Sequence, residues 1–295
     1  MKNLLLPILA IATLPLIPTD TAAQISLYDT DGNVIFSSKE TPAYIDFNYN
    51  DPTKGEENGH AWVDLGLPSG TLWADHNIGA TNPEDYGDYY AWGETAAKET
   101  YNWTTYKWMN PAVNDLAGCT KYQFADGQTD CVWYDSEGNF IGDGKTELET
   151  SDDVASQTWG GKWQMPTRAM IKELTSQCYW VWTTTYNGKS VNGYIVYKAK
   201  NDTDKGAKVT SGSSPSSDYD VATDPHIFLP AEGYRWGSEL GDASHFGNYW
   251  SRSLDPDYSD CACSLYFDSA LFWVSRYLGR DCGFAVRPVV LPAAE

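Results

Sequence analysis

The most reactive side chains in the chain are six cysteines: Cys119, Cys131, Cys178, Cys261, Cys263 and Cys282. No Cys-x-x-Cys pair occurs among them, which removes the spacing used by dithiol redox motifs and zinc sites. Cys261 and Cys263 stand two apart in a strand-like stretch, on one face but too stretched to bridge easily. Six cysteines admit many pairings, and Cys119 with Cys131 is the expected one. The four histidines, His60, His76, His226 and His245, are scattered without the His-Glu-x-x-His spacing of a metalloprotease. Asp29-Thr30-Asp31-Gly32-Asn33, followed by Glu40, imitates a calcium loop, but its glycine comes too early and no helices flank it, so a hairpin turn is the better reading. With 40 Asp and Glu in the chain, no carboxylate pair stands out. No metal, no cofactor and no catalytic group is expected. Trp103, Trp108, Trp133, Trp180 and Trp182 could offer stacking faces for sugar rings, and core packing accounts for the same residues equally well. Trp180 and Trp182 alternate onto one strand face.

Residues 255–285 have an unusual composition. They contain no Lys, Glu, Gln, Met or Asn, whereas the rest of the chain carries 37 Lys, Glu, Gln and Met. Three of the six cysteines fall in this stretch.

The chain has 295 residues, a net charge of −20 and 14% aromatic residues. It is long enough to bury a core without a metal or disulfide. The acid excess argues against nucleic acid and anionic membrane surfaces, both of which select basic patches. The aromatic content argues against disorder. Met1-Lys2-Asn3 followed by the apolar run Leu4–Ile17 and the small residues Thr21-Ala22-Ala23 predicts a secretory signal peptide over 1–23. The apolar run is shorter than a membrane span needs. No cysteine follows it to carry a lipid. The expected location is therefore secreted or at the cell surface, with no membrane span.

The elements that must position these side chains are mostly strands. Residues 24–48 predict a small N-terminal β-unit, with Ile25–Tyr28 and Val34–Phe36 joined at Asp31-Gly32 and Tyr44–Phe47 as a third candidate strand. Residues 49–60 are polar, with Pro and Gly, and predict a linker. From 61 to 290, short apolar runs alternate with turn residues. The clearest helix starts after Met165-Pro166, with Thr167 as N-cap and Met170, Ile171, Leu174 and Cys178 at helical spacing. A second short helix is expected after Asn82-Pro83-Glu84-Asp85. Residues 201–224 predict an exposed loop. The fold class is α+β, with two short helices, small antiparallel sheets and extensive loops.

The run Trp62-Val63-Asp64-Leu65-Gly66-Leu67-Pro68-Ser69-Gly70-Thr71-Leu72-Trp73-Ala74, then Asn77-Ile78-Gly79-Ala80 and Pro83-Glu84-Asp85-Tyr86-Gly87-Asp88-Tyr89-Tyr90-Ala91-Trp92-Gly93-Glu94-Thr95, resembles the FISUMP (major paralogous domain) family of exported bacterial proteins. Trp159–Thr167, Phe228–Arg235, Tyr249-Trp250-Ser251 and Gly283–Val289 match further blocks, so the resemblance covers most of 61–290. The family in turn resembles the C-type-lectin fold in the broad sense shared with formylglycine-generating enzymes. The resemblance implies a small sheet and two helices beneath a large loop surface. It also raises the possibility of a formylglycine-generating-type oxidoreductase, whose paired cysteines bind copper. The spacing of Cys261, Cys263 and Cys282 does not match that motif. The cations that could activate a thiol nearby in sequence are Arg276 and Arg280.

Two readings account for the composition of 255–285: an ordinary family member whose tail drifted to it, or one mechanism that gives this signature directly. Diversity-generating retroelements copy a template repeat and randomise its adenines. Asn codons of the form AAC then yield Tyr, Asp, Ser, Cys, Leu, Phe, Val, Ala and Arg, but never Lys, Glu, Gln, Met or Trp. The stretch obeys this everywhere except Trp273, which would be a fixed position. Known targets of these elements resemble the C-type-lectin fold and carry the variable segment at the C-terminus. A reverse transcriptase would act on the gene and not on the protein. Tyr258, Tyr266 and Tyr277 are the expected aromatic anchors of a recognition face, as in antibody paratopes, and Asp255, Asp257, Asp260 and Asp281 the expected polar contacts. Cys261, Cys263, Ser264, Asp268, Trp273, Ser275, Leu278 and Cys282 complete the candidate ligand-binding surface. The expected function is that of an exported, non-enzymatic ligand-binding protein with an unidentified protein or glycan partner. The alternative is a fixed-specificity surface adhesin or carbohydrate-binding protein.

Overall fold

The computed structural model describes residues 25–28, 34–38, 51–110, 112, 118–123, 137, 139, 142–274 and 278–291. The chain divides into two compact units, Met1–Asn50 and Asp51–Glu295. In the first unit β1 (Ile25–Tyr28) pairs antiparallel with β2 (Val34–Ser38), as the alternation of apolar residues predicts. The expected signal peptide, the calcium-like loop at Asp29–Asn33 and Glu40, and the candidate strand Tyr44–Phe47 lie outside the described residues.

The second unit is mostly β-sheet with two short helices. It opens with β3 (Lys54–Glu57) and β4 (His60–Asp64), which form an antiparallel hairpin. This corrects the linker expected over 49–60, at least from Asp51 onward. Asn58 and Gly59 both take positive φ, 47° and 81°, as a two-residue hairpin turn of matching twist requires. Gly55 leaves room for the Trp62 ring, since a Cβ there would stand 2.3 Å from Trp62 Cζ2. The polar run is thus the edge strand of a sheet, with every second residue facing solvent.

That sheet continues through β5 (Leu72–Ala74) to β17 (Val289–Val290) and β6 (Trp163–Gln164), in the order β3-β4-β5-β17-β6. Strand β17, next to the end of the described chain, is therefore hydrogen-bonded between two strands from much earlier in the sequence. A second sheet has the order β10-β8-β7-β9, from β7 (Cys178–Tyr186), β8 (Lys189–Lys198), β9 (Lys208–Val209) and β10 (His226–Pro230). Asn187-Gly188 makes the β7–β8 turn with φ of 48° and 74°. The region 201–224, expected to be an exposed loop, contributes β9, which pairs parallel to β7. A third sheet is built from β13 (Gly247–Leu254), β14 (Cys261–Phe267), β15 (Phe272–Val274) and β16 (Leu278–Gly279), with β14 central. A two-stranded ribbon, β11 (Tyr234–Trp236) with β12 (Glu239–Gly241), completes the set.

The helix expected after Pro166 is α2 (Arg168–Gln177), following α1 (Val154–Thr158). The Thr167 side chain accepts from the Met170 N–H at 3.2 Å, and Ile171 and Leu174 are buried. Cys178 ends the helix and starts β7. The helix expected after Asn82–Asp85 does not form. There Asp85 Oδ2 accepts from both the backbone and the side chain of Asn82, at 2.9 Å each, and this side-chain turn replaces the helical ladder. Gly87 with φ 77° then redirects the chain. The second helix is α1 instead, capped by Asp153 on Ser156 N–H at 3.0 Å. Among the described residues no helix is long and apolar enough to cross a membrane.

The core is aromatic, and many of its polar edges are satisfied, while the Trp73 indole N–H and the Tyr194 hydroxyl have no partner among the described residues. Trp92, Trp163 and Trp250 are fully buried, and their indole N–H groups donate to the carbonyls of Ser251, Glu57 and Tyr90 at 2.7–2.8 Å. Trp180 is fully buried and Trp182 packs against the same cluster, both with their rings edge-on to Tyr194. The pair does share one strand face, and that face is core.

Candidate ligand-binding site

The third sheet and the β11–β12 ribbon enclose a cleft of about 270 Å³. Its first wall comes from the ribbon. Gly237 takes φ 57° and with Ser238 makes the two-residue turn, so Trp236 stands directly opposite Glu239, and Tyr234 opposite Gly241. Directly opposed residues of an antiparallel pair project to the same side. The Tyr234 ring covers Gly241, whose Cβ would lie 3.0 Å from the ring. Trp236 is 66% exposed although its face lines the cleft. Arg235 projects to the other side, its guanidinium 5.3 Å from the centre of the Tyr89 ring.

The floor comes from β13 and its approach, and the second wall from the segment 255–285. Phe246 and Asn248 line the floor, with Asp242 at the lip. Tyr266, Leu278, Cys282 and Phe284 form the opposite side. The Tyr266 ring tilts against Phe246 at 5.3 Å and stacks on Trp273 at 5.5 Å, which extends the aromatic surface beyond the cleft. Trp273 is 52% exposed. The register explains the stack, because Tyr266 and Trp273 are directly opposed on β14 and β15.

Buried carboxyl chemistry positions the floor. Glu232 is fully buried, and its Oε1 accepts the Asn248 backbone N–H at 2.7 Å. Burial pushes the Glu232 carboxyl well above its ordinary range. Asn248 Nδ2 donates to the Gly233 carbonyl at 3.1 Å, which ties the floor to the root of the ribbon.

The residues expected on the recognition face divide into four groups. Tyr266, Leu278 and Cys282 line the cleft, with Trp273 adjoining. Asp257 and Tyr258 are exposed on the turn before β14, and Asp260, Cys261 and Asp268 are partly exposed outside the cleft lining. Ser275 and Tyr277 lie outside the described residues. Asp255, Cys263, Ser264 and Asp281 are buried, at 3% exposure or less, and this corrects their assignment to a contact surface. The reason is local. Asp255 Oδ1 folds back onto the N–H groups of Asp257 and Tyr258, and both faces of the central strand β14 are covered from Ala262 to Phe267, so Cys263 and Ser264, which point to opposite faces, are both enclosed.

The structure also sets the state of the cysteines. Burial, then the neighbouring Asp260 carboxylate, pushes the Cys261 thiol up. Burial, then Asp281, pushes Cys282 up to about 12. Both shifts disfavour the thiolate, the opposite of what an activated nucleophile needs. The partner expected for Cys119, Cys131, lies outside the described residues. Among the described residues no group of three or more His, Cys, Asp and Glu could hold a metal ion. His60 stacks on Trp159 at 3.9 Å, and His226 shares a hydrogen bond with the Tyr186 hydroxyl at 2.8 Å. Of the tryptophans singled out as sugar platforms, Trp103 and Trp108 are partly buried beside Tyr106 and Met109, Trp180 and Trp182 belong to the core, and Trp133 lies outside the described residues. Among the described tryptophans the exposed ones are Trp236 and Trp273.

Asp281, beneath Cys282, makes stability depend on pH. Burial first, with Asp260 adding to it, raises its carboxyl from 3.8 to about 6. Between those values the folded chain holds a proton that the unfolded chain has lost, so this group's contribution falls as pH rises through the window. Asp281→Asn is therefore expected to gain stability relative to the parent at pH 7 compared with pH 4. Urea midpoints of both proteins at the two pH values check this. An equal difference at both values would show that Asp281 ionises without penalty.

The ribbon wall (Tyr234, Trp236, Asp242) and the floor (Phe246, Asn248) were not anticipated from the sequence. Their signal was present as Gly237-Ser238 between two short alternating runs, which is a hairpin pattern. Searches of family models, curated proteins and solved structures return no match to this chain.

Proposed function

We propose that this chain is an exported ligand-binding protein with a C-type-lectin-like domain, and that the aromatic cleft is its recognition site. One observation carries this reading: the compositionally unusual segment 255–285 supplies one wall of the cleft through Tyr266, Leu278, Cys282 and Phe284. A ring-lined concavity with a few polar groups is the ordinary form of a binding site. The division of labour also fits diversification by a retroelement. The ribbon and floor form a constant half, and the C-terminal segment forms a half whose side chains can change while Glu232 and Asn248 keep the floor in place. The thiol state of Cys261 and Cys282 weighs against the oxidoreductase reading.

Two experiments test the proposal. Sequencing the DNA flanking the gene is expected to reveal a near-copy of the region encoding residues 248–289. Its differences should concentrate at adenines and include the codons for Tyr266, Leu278 and Cys282. Lack of any such copy would remove diversification and leave a receptor of fixed specificity. Peptide and glycan arrays probed with the parent and with Trp236→Ala are expected to give hits that the variant loses. Trp236 is mostly exposed, so the substitution leaves the fold intact. Hits that survive the substitution would place recognition elsewhere.

A further inference from the structure

We propose that the cleft selects a positively charged, ammonium-type group: a quaternary ammonium or a lysine side chain presented by a basic partner. This rests on the cleft being the recognition site and adds the chemistry of what it takes. Three observations carry it. The lining is largely aromatic, with Tyr234 and Trp236 on one side and Phe246 and Tyr266 towards the other. The negative face of such rings attracts a cation brought within about 6 Å, most strongly when the site excludes water.

The charge around the rings is also of one sign. Asp242 lines the lip, and Glu239 projects from the ribbon on the same side as Trp236, because the two are directly opposed. Both are exposed, and neither is engaged in an ion pair among the described residues. No Lys or Arg belongs to the described lining, and Arg235 is turned away onto Tyr89. The whole chain, at −20, adds a long-range field of the same sign, which steers cations and repels anions.

The third observation is the buried amide. Asn248 is 1% exposed and lines the cleft; one N–H of its Nδ2 donates to the Gly233 carbonyl, and its Oδ1 is an acceptor at the same place. Carboxylates at the lip suit either kind of cation, and the acceptor in the floor adds a hydrogen bond for a lysine ammonium, which a quaternary head does not make. At about 270 Å³ the cleft has room for a trimethylammonium head or the end of a lysine side chain. A neutral sugar would use the same rings and donate hydroxyl hydrogen bonds to the carboxylates, but it carries no charge for the rings and the acidic field to attract.

The test is a titration of the full chain, followed by ligand-observed NMR, with four probes: choline, its neutral isostere 3,3-dimethylbutan-1-ol, Nα-acetyl-lysine methylamide and methyl β-glucopyranoside. The cations are expected to bind at least tenfold more tightly than the isostere. Asp242→Asn combined with Glu239→Gln should shrink that difference, leaving the part due to the rings, while leaving the isostere unchanged. Trp236→Ala should weaken all cleft binding. A stronger response to choline than to the lysine probe points to a free quaternary ammonium, and the reverse to a basic protein partner. Binding of the isostere or the glucoside as tightly as choline overturns the charge assignment. If that binding is lost in Trp236→Ala, the recognition site itself still stands. Failure of all four probes overturns the assignment as well. The cleft reading falls separately, if array hits survive Trp236→Ala.

Discussion

Replacing Arg287 with methionine is expected to lower stability by about 3–5 kcal/mol, the range for removing one member of a buried charged network. Arg287 is 1% exposed and serves four acceptors from distant parts of the chain. Its Nε donates to Asn77 Oδ1 at 2.7 Å, Nη1 to the Ala74 and Asp75 carbonyls at 3.2 and 2.9 Å, and Nη2 to the Phe228 carbonyl at 2.8 Å. The end of β5, the loop after it and strand β10 are joined through this one guanidinium. Methionine fills much of the volume but leaves the acceptors without donors, and each costs on the order of 1–3 kcal/mol if water cannot reach it. Relief from burying a charge offsets part of this, since burial already lowers the Arg287 pKa from its usual value. The unsatisfied carbonyls win because there are several of them. In thermal unfolding the midpoint should drop by roughly 10 °C, at about 2–4 °C per kcal/mol for a chain of this size. A loss below about 1 kcal/mol would mean that water replaces the guanidinium.

Gly233→Ala is expected to cost about 2–4 kcal/mol, combining backbone strain with a steric clash. Gly233 takes φ 77°, and a Cβ there would stand 2.2 Å from the Gly241 carbonyl oxygen and 2.7 Å from the Ala243 nitrogen. Both are backbone atoms, so the ribbon and the turn after it must move apart. The Gly233 N–H bond to the Phe246 carbonyl, at 2.7 Å, and the Asn248 side-chain bond to its own carbonyl lie at the same point. The variant should therefore lose both stability and the near-ultraviolet circular dichroism of the cleft aromatics. Gly237→Ala is the control. Its φ is also positive, at 57°, but nothing lies within 4 Å of the added Cβ, so only the conformational cost of about 1–2 kcal/mol applies. Equal losses in the two variants would show that strain alone matters and that the packing at the root of the ribbon does not.

Local chemistry made part of this architecture legible. The helix α2 followed from a threonine cap and apolar spacing, both properties of adjacent residues. The N-terminal hairpin followed from alternation. The Asn58-Gly59 turn was equally legible but was outweighed by the polarity of its surroundings, because an edge strand needs few apolar side chains. The expected helix after Asn82 failed because Asp85 turned back onto Asn82, a competition between local bonds that composition does not rank.

By itself, the sequence determined the strand-rich character of the chain, its acidity, the main helix and the distinctive composition of 255–285. All of these are set by residue type and near-neighbour spacing. Only the tertiary structure decided which residues of that segment meet a ligand-sized space. Tyr266 and Trp273 are opposed because two strands pair in one register, while Cys263 and Ser264 on the same strand are enclosed by neighbours distant in sequence. The structure also decided that half of the cleft comes from Tyr234, Trp236, Phe246 and Asn248, outside the segment. Their convergence depends on Glu232 and Gly233, a buried carboxyl and a left-handed glycine. The importance of these two residues lies in contacts between elements, which one-dimensional spacing does not encode.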